Sequence, residues 1–234
     1  MAERVTRPSG IHHLAVMTKD LKAQLEFFTQ VMGLPLVALY DMHGVAGAWH
    51  AFVQLDDSTY LAFAQVPGVE NVQAKVGVTH AGSGAGVSAA GTMQHLALRV
   101  ANEDELLGLR DRLRAHGVIA LGPIDHGMCQ SLYFAGPEGL TLEAACSSAP
   151  IPAANWVDPV VAARAGIMAD DLRRFRDPAP FHRPDQPLPQ PPIDPSTPHL
   201  AYPEPEYRKM VAMPDAVVKA IASVPEPPVR SNDR

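Results

Sequence analysis

The tripeptide His-Leu-Ala occurs at residues 13–15 and again at 95–97, an offset of 82, and each copy opens the same succession of patterns. A repeat of this kind implies supersecondary units that cannot bury their apolar faces alone and must pack on one another. In the first copy, residues 11–17 (IHHLAVM) read as a short strand. Asp20 stands at a helix N-cap, Leu21, Leu25, Phe28 and Met32 recur on one helical face, and Gly33 stops the helix. In the second copy, residues 93–100 (MQHLALRV) form the strand, Asn102 or Glu103 opens a helix with Leu106, Leu109 and Leu113 on one face, and Gly117 ends it. Three strand-like segments follow each helix: 36–40, 49–55 and 60–64 in the first copy, 118–121, 131–135 and 140–145 in the second. Turns at 56–58 (DDS) and 136–139 (GPEG) separate the last two strands of each. The fold class is therefore α+β: two pseudo-symmetric βαβββ modules, about 11–65 and 93–146.

Residues 66–92 join the modules, and within them AGSGAG at 81–86 reads as a flexible or ligand-covering loop. It is not a phosphate loop, because no Lys-Ser/Thr follows it. Proline marks the other boundary. Only 5 of the 23 prolines precede residue 149, so a domain of residues 1–149 is followed by a Pro-rich C-terminal extension, 150–234. There, 160–175 reads as one helix, 178–205 as extended, largely polyproline II chain, and 213–222 as a last short helix. The rings of Trp156, Phe175, Phe181, Tyr202 and Tyr207 suit an arm that packs on the domain or on a second subunit.

Bulk properties exclude several classes. Hydrophobic residues make up 47% of the chain, enough for a sizeable core, and the net charge of -6 lacks the basic excess of a nucleic-acid partner. No apolar run reaches the length of a membrane span, and MAERVTRPSG has no signal-peptide core. Cys129 and Cys146, the only cysteines, read as two free buried thiols in a reducing compartment, and the cytoplasm is the default location.

Two imidazoles and a carboxylate carry the chemistry. His13 and His95 hold matching places in the two first strands, so pairing about a pseudo-twofold axis would bring them to one cleft. Glu143 lies in an otherwise apolar strand and needs a partner for its charge. A divalent metal satisfies all three. The donor set suits Fe(II), and less selectively Mn, Zn, Ni or Co. Strand alternation sends His12 and His13 to opposite faces, so only one of them can ligate, and His13 is the one that repeats as His95. Glu143 aligns with Ala62 at an offset of 81, and alanine cannot coordinate. The site thus keeps three protein ligands and open positions, as catalytic rather than structural sites do. His50, on one strand face with Phe52 and Gln54, is a candidate acid–base residue.

IHHLAVMTKDL…FFTQVMGL, MQHLALRV and DHGMCQSLYFAGPEGLTLE together resemble the vicinal oxygen chelate superfamily, which includes glyoxalase I, extradiol ring-cleaving dioxygenases, epimerases and bleomycin-resistance proteins. The resemblance covers about residues 10–146. It implies metal-ligand roles for His13, His95 and Glu143. It also implies that His126 and Tyr133, 17 and 10 residues before Glu143, bind a catecholate and a reacting oxygen. His80, 15 residues before His95, is a weaker acid–base option, because it lies in the Gly-rich joint and not on a strand. The reading that follows is an Fe(II)-dependent oxidoreductase of extradiol-dioxygenase type acting on a catechol-like or vicinal-oxygen substrate. His50 or His126 would move protons and Tyr133 would hold an oxyanion. The alternatives are a glyoxalase-type lyase or isomerase using Ni, Co or Zn, and a protein that binds an aromatic ligand without turnover. Family habit and the Pro-rich arm point to a homodimer.

Overall fold

The computed structural model describes residues 6–229. Contacts divide the chain into two units, Gly10–Arg176 and the remainder. The first unit opens with β1 (His13–Met17), α1 (Leu21–Glu26), β2 (Leu36–Asp41), β3 (Trp49–Gln54) and β4 (Tyr60–Gln65). After the joint come β5 (Leu96–Arg99), α2 (Glu103–Ala115), β6 (Ala120–Asp125), β7 (Gln130–Ala135) and β8 (Thr141–Cys146). The strands form two four-stranded mixed sheets, ordered β1-β4-β3-β2 and β5-β8-β7-β6. In each sheet the first strand pairs parallel with the last, and the other pairs are antiparallel.

Local chemistry sets these elements. Asp20 Oδ1 accepts from the Ala23 N–H and caps α1, and Asn102 Oδ1 does the same for α2 from Glu105. Beyond Glu26 the helix of the first module widens into a π-turn, Phe27–Val31, closed by the Met32 N–H on Phe27 O at 3.0 Å. Gly33 and Gly117, at φ +82° and +77°, end the two helices in the left-handed conformation that favours glycine. The helix-facing side chains form one core shared by both modules. Phe28, Phe63, Leu106, Leu113, Leu132 and Leu142 are fully buried, each contributing about 2–3 kcal/mol of hydrophobic stabilisation.

The modules clasp each other reciprocally. Glu138, in the turn before β8 and at φ +56°, accepts from Thr18 Oγ1 (2.5 Å) and the Lys19 N–H (3.0 Å) just after β1, and from Gln24 Nε2 (2.9 Å) in α1. Asp56, in the turn before β4, sits 3.6 Å from Arg99 at the end of β5. Each first strand thus ends at the entry to the other module's last strand. His13 stands level with Tyr60 at the entry to β4, and Leu96, next to His95, stands level with Leu142 at the entry to β8. The two first strands therefore pass head to tail, with His13 and His95 at opposite ends.

The C-terminal readings need correction. The single helix read at 160–175 is two, α4 (Pro159–Arg164) and α5 (Ala169–Arg176), separated at Gly166 with φ +73°. A short α3 (Ala153–Trp156) precedes them. Residues 150–176 group with the βαβββ modules, beyond the boundary read at 149. Among the described residues of the second unit, 177–203 carry no regular helix or strand; α6 (Glu204–Val211) and α7 (Asp215–Ala222) follow. There the Thr6 N–H donates to Phe181 O (3.1 Å) and the rings of Tyr202 and Tyr207 stack. Residues 1–5, part of the segment read as lacking a signal peptide, and 230–234 lie outside the described residues. Among the described residues no helix is long and apolar enough to cross a membrane. Both cysteines are free; Cys146 is buried, whereas Cys129 is only half-buried.

Candidate metal centre

Strand register sorts the polar side chains. In the first sheet His13, Ala15 and Met17 share the face turned away from the helices with Tyr60, Ala62, Ala64, His50, Phe52 and Tyr40. In the second sheet Ala97, Glu143 and Tyr133 lie side by side on the corresponding face. These open faces are partly solvated: Met17 is 54% exposed.

The second sheet assembles the stronger half of the site. Glu143 is buried, at 5% exposure, and its Oε2 lies 2.9 Å from His95 Nε2. His95 Nδ1 meets Gln94 Oε1. A carboxamide oxygen only accepts, so Nδ1 carries a proton. In the neutral ring Nε2 then presents a lone pair to a carboxylate oxygen, which is repulsive without a proton or a cation between them. The donor set fits a divalent metal ion on that ground. Beside it, Tyr133 Oη lies 3.0 Å from His126 Nε2. Burial first, and the Glu143 charge second, hold the Tyr133 phenol above its ordinary pKa, so it keeps its proton.

The first sheet contributes His13 and His50. His13 packs edge-on to Phe52, and its Nδ1 lies 2.9 Å from His12 Nδ1. That contact corrects the assignment of His12 to the opposite face: β1 begins only at His13, so strand alternation does not reach His12. His50 has its Nδ1 3.4 Å from Tyr40 Oη, while its buried Nε2 has no hydrogen-bond partner. Burial, then the neighbouring His13 and His43, lower its pKa and keep it neutral near pH 7.

Within one chain the three anticipated ligands do not converge. Among the described residues no three His, Cys, Asp or Glu side chains gather into a metal-binding group. Only His95 and Glu143 meet. The head-to-tail passage of β1 and β5 sets His13 and His95 at opposite ends of their strands. His13 and His95 are equivalent in the repeat without being neighbours, because equivalent positions meet only when they lie near the axis. His80 is engaged by Thr79 Oγ1 (2.7 Å) and its ring lies over Gly139. It lines a cavity of about 740 Å³ with Met17, Gln24, Met93 and Leu140.

Residues 10–144 match the Glyoxalase/Bleomycin resistance protein/Dioxygenase superfamily. The chain belongs to that superfamily. Solved structures of similar fold include a glyoxylase/bleomycin resistance protein/dioxygenase domain from Frankia sp. EAN1pec, with 16% identity over 60% of this chain and 99% of that one, TM-score 0.48. Lactoylglutathione lyase from Agrobacterium tumefaciens shares 19% identity over 60% and 95% of the two chains, TM-score 0.41. The fosfomycin resistance protein FosX from Listeria monocytogenes, complexed with Mn(II) and sulfate, shares 15% identity over 61% and 95%, TM-score 0.41. No curated protein matches the chain at a significant level.

Two residues beside these candidates escape a reading by motif. Gln94 is adjacent to His95 and shows no periodic signal; its role appears only once its carboxamide is seen between the imidazole and the glycine loop. Trp156, in α3 beyond the matched residues, lies against Gly127, next to His126: a Cβ at 127 would meet the indole at 3.1 Å. Gly127 (φ +79°) is further held by its N–H donating to Asp125 Oδ1 at 2.6 Å. The proline boundary concealed Trp156 by assigning it to the tail.

Proposed function

We propose that this chain is a metal-dependent oxidoreductase of extradiol-dioxygenase type, acting as a homodimer in which His13 of one subunit joins His95 and Glu143 of the other. The observation that carries the reading is the apposition of the His95 lone-pair nitrogen and the buried Glu143 carboxylate, with the Tyr133–His126 pair on the same face. Separation supports the dimer: among the described residues His13 does not gather with His95 and Glu143 within one chain, and a twofold assembly would complete two sites at once.

Fe(II), or less selectively Mn, Ni, Co or Zn, would be held by His13, His95 and Glu143 and would supply a Lewis-acidic centre for a substrate with two adjacent oxygens. The protein's own groups do the rest. With His126 Nε2–H donating to the Tyr133 oxygen, the phenol proton is free to hydrogen-bond a substrate oxyanion. His50, neutral and with Nε2 unpartnered, is suited to accept the proton of a catecholic hydroxyl. Phe52 and Tyr40 offer apolar ring surface on the His13 side for an aromatic substrate.

The test is anaerobic loading with Fe(II), then oxygen uptake with a panel of catechols. Stoichiometric uptake supports the reading; none across a broad panel removes it. A second reading, a glyoxalase-type lyase or isomerase, draws on His50 as a base in place of the carboxylate that Ala62 cannot provide. Turnover of a carbonyl substrate with Ni or Zn under argon would favour it.

A further inference from the structure

Gln94 has two N–H groups and one carbonyl, and the structure uses both ends. Nε2 donates toward the carbonyls of Ser83 (3.1 Å), Gly84 (3.0 Å) and Gly86 (3.3 Å). Oε1 faces His95 Nδ1. The loop it grips is shaped by glycine: a Cβ at Gly86 would lie 2.1 Å from Ala81 O, and one at Gly84 would lie 3.3 Å from the Tyr133 ring. Loop 83–86 therefore rests on the phenol that stands opposite Glu143 in register.

We propose that Gln94 is a positioning residue that couples the seating of loop 83–86 to the metal-binding tautomer of His95. The proposal rests on the reading of His95 as a ligand. With the loop seated, three carbonyls fix the amide with its N–H groups outward, because the flipped amide would set Oε1 against them. Oε1 then demands a proton on Nδ1 and leaves Nε2 as the lone-pair nitrogen. With the loop lifted, the amide is free to flip and donate to Nδ1. The ring proton then sits on Nε2, 2.9 Å from Glu143 Oε2, and the two donor atoms satisfy each other. Closing the loop over a substrate at Tyr133 and preparing His95 for metal become one event, through one side chain.

Two variants of the full chain separate the two ends of the amide. Gln94→Met removes donor and acceptor at similar volume; Gln94→Glu keeps an acceptor for Nδ1 and loses the N–H groups. The measurements are the side-chain ¹⁵N shifts of His95 and amide hydrogen exchange over 83–86, both on metal-free protein, with Co(II) affinity alongside. Wild type should show a protonated Nδ1 and a protected loop. Q94E should keep the proton on Nδ1 while exchange in the loop rises at least several-fold. Q94M should move the proton to Nε2, expose the loop and weaken Co(II) binding by about 10–100-fold, the usual loss for a partner of a metal-ligating histidine. An unchanged Nδ1 proton and unchanged loop exchange in Q94M overturn the coupling whatever the metal affinity. If both respond as stated while wild type binds no Co(II), the coupling stands and only the metal reading falls.

Discussion

Ala62 occupies in the first sheet the register that Glu143 occupies in the second: it stands opposite Ala15 of β1 as Glu143 stands opposite Ala97 of β5. The same offset pairs Phe52, opposite Ala62, with Tyr133, opposite Glu143. The two sheets are equivalent in backbone and unequal in chemistry. One carries a carboxylate and a phenol where the other carries a methyl and a phenyl.

That inequality can be reversed at one position. Ala62→Glu sets a second carboxylate on the face that bears His13, at a residue with no solvent exposure. Without metal the variant should lose about 2–4 kcal/mol of stability, the cost of a buried polar group without a partner. Zn(II) should restore that stability, and oxygen uptake should fall because an open position is filled. Thermal unfolding with and without chelator reads the first two effects.

A site built from two subunits makes a prediction no single-chain site shares. His13→Ala and Glu143→Ala should each abolish metal binding. Unfolding and refolding the two together should restore about a quarter of the wild-type sites, since half of randomly assorted dimers are mixed and each mixed dimer retains one intact set. Metal content after gel filtration decides it. A mixture as empty as its components would remove the shared site.

His50 gives a pH dependence with a definite sign. Its folded-state pKa lies below the ordinary 6.5 because of burial, then His13 and His43. The unfolded chain therefore binds that proton more readily, and folding stability should fall as pH drops below about 6.5 while remaining flat above it. Replacing His50 by Asn should flatten that slope. Urea titrations of chelator-treated protein between pH 5 and 8 measure it.

The clasp between modules should be costly to break. Glu138→Ala removes acceptors for Thr18, Lys19 and Gln24 together, leaving buried Thr18 and Gln24 donors unpaired. The expected loss is about 2–4 kcal/mol, with the midpoint of denaturation shifted and the oxidised or reduced state of the two thiols irrelevant.

Much of this fold was legible because its signals are local. The Asp20 and Asn102 caps, the glycine stops and the alternating strands all act within a few residues, and the elements form where those residues dictate. The equivalence of His13 with His95 and of Ala62 with Glu143 was legible for the same reason, as a fixed offset. Proximity was not, because it depends on how far each position lies from the axis relating the modules, and that is set by the Glu138 and Asp56 contacts. The break between α4 and α5 leaves no local signal, because Gly166 sits inside a continuous helical pattern. Gln94 leaves none either, because a carboxamide beside a histidine has no periodic signature.

The indole of Trp156 against Gly127 bears on where this protein can be cut. A chain ended at 149, where the prolines begin to crowd, would strip the cover from the 125–129 turn beside His126 and discard the buried Ala162. A fragment that keeps the whole of this unit, with the turn beside His126 covered, runs to Arg176, and the stretch of sequence that looks most like a disposable linker begins only beyond it.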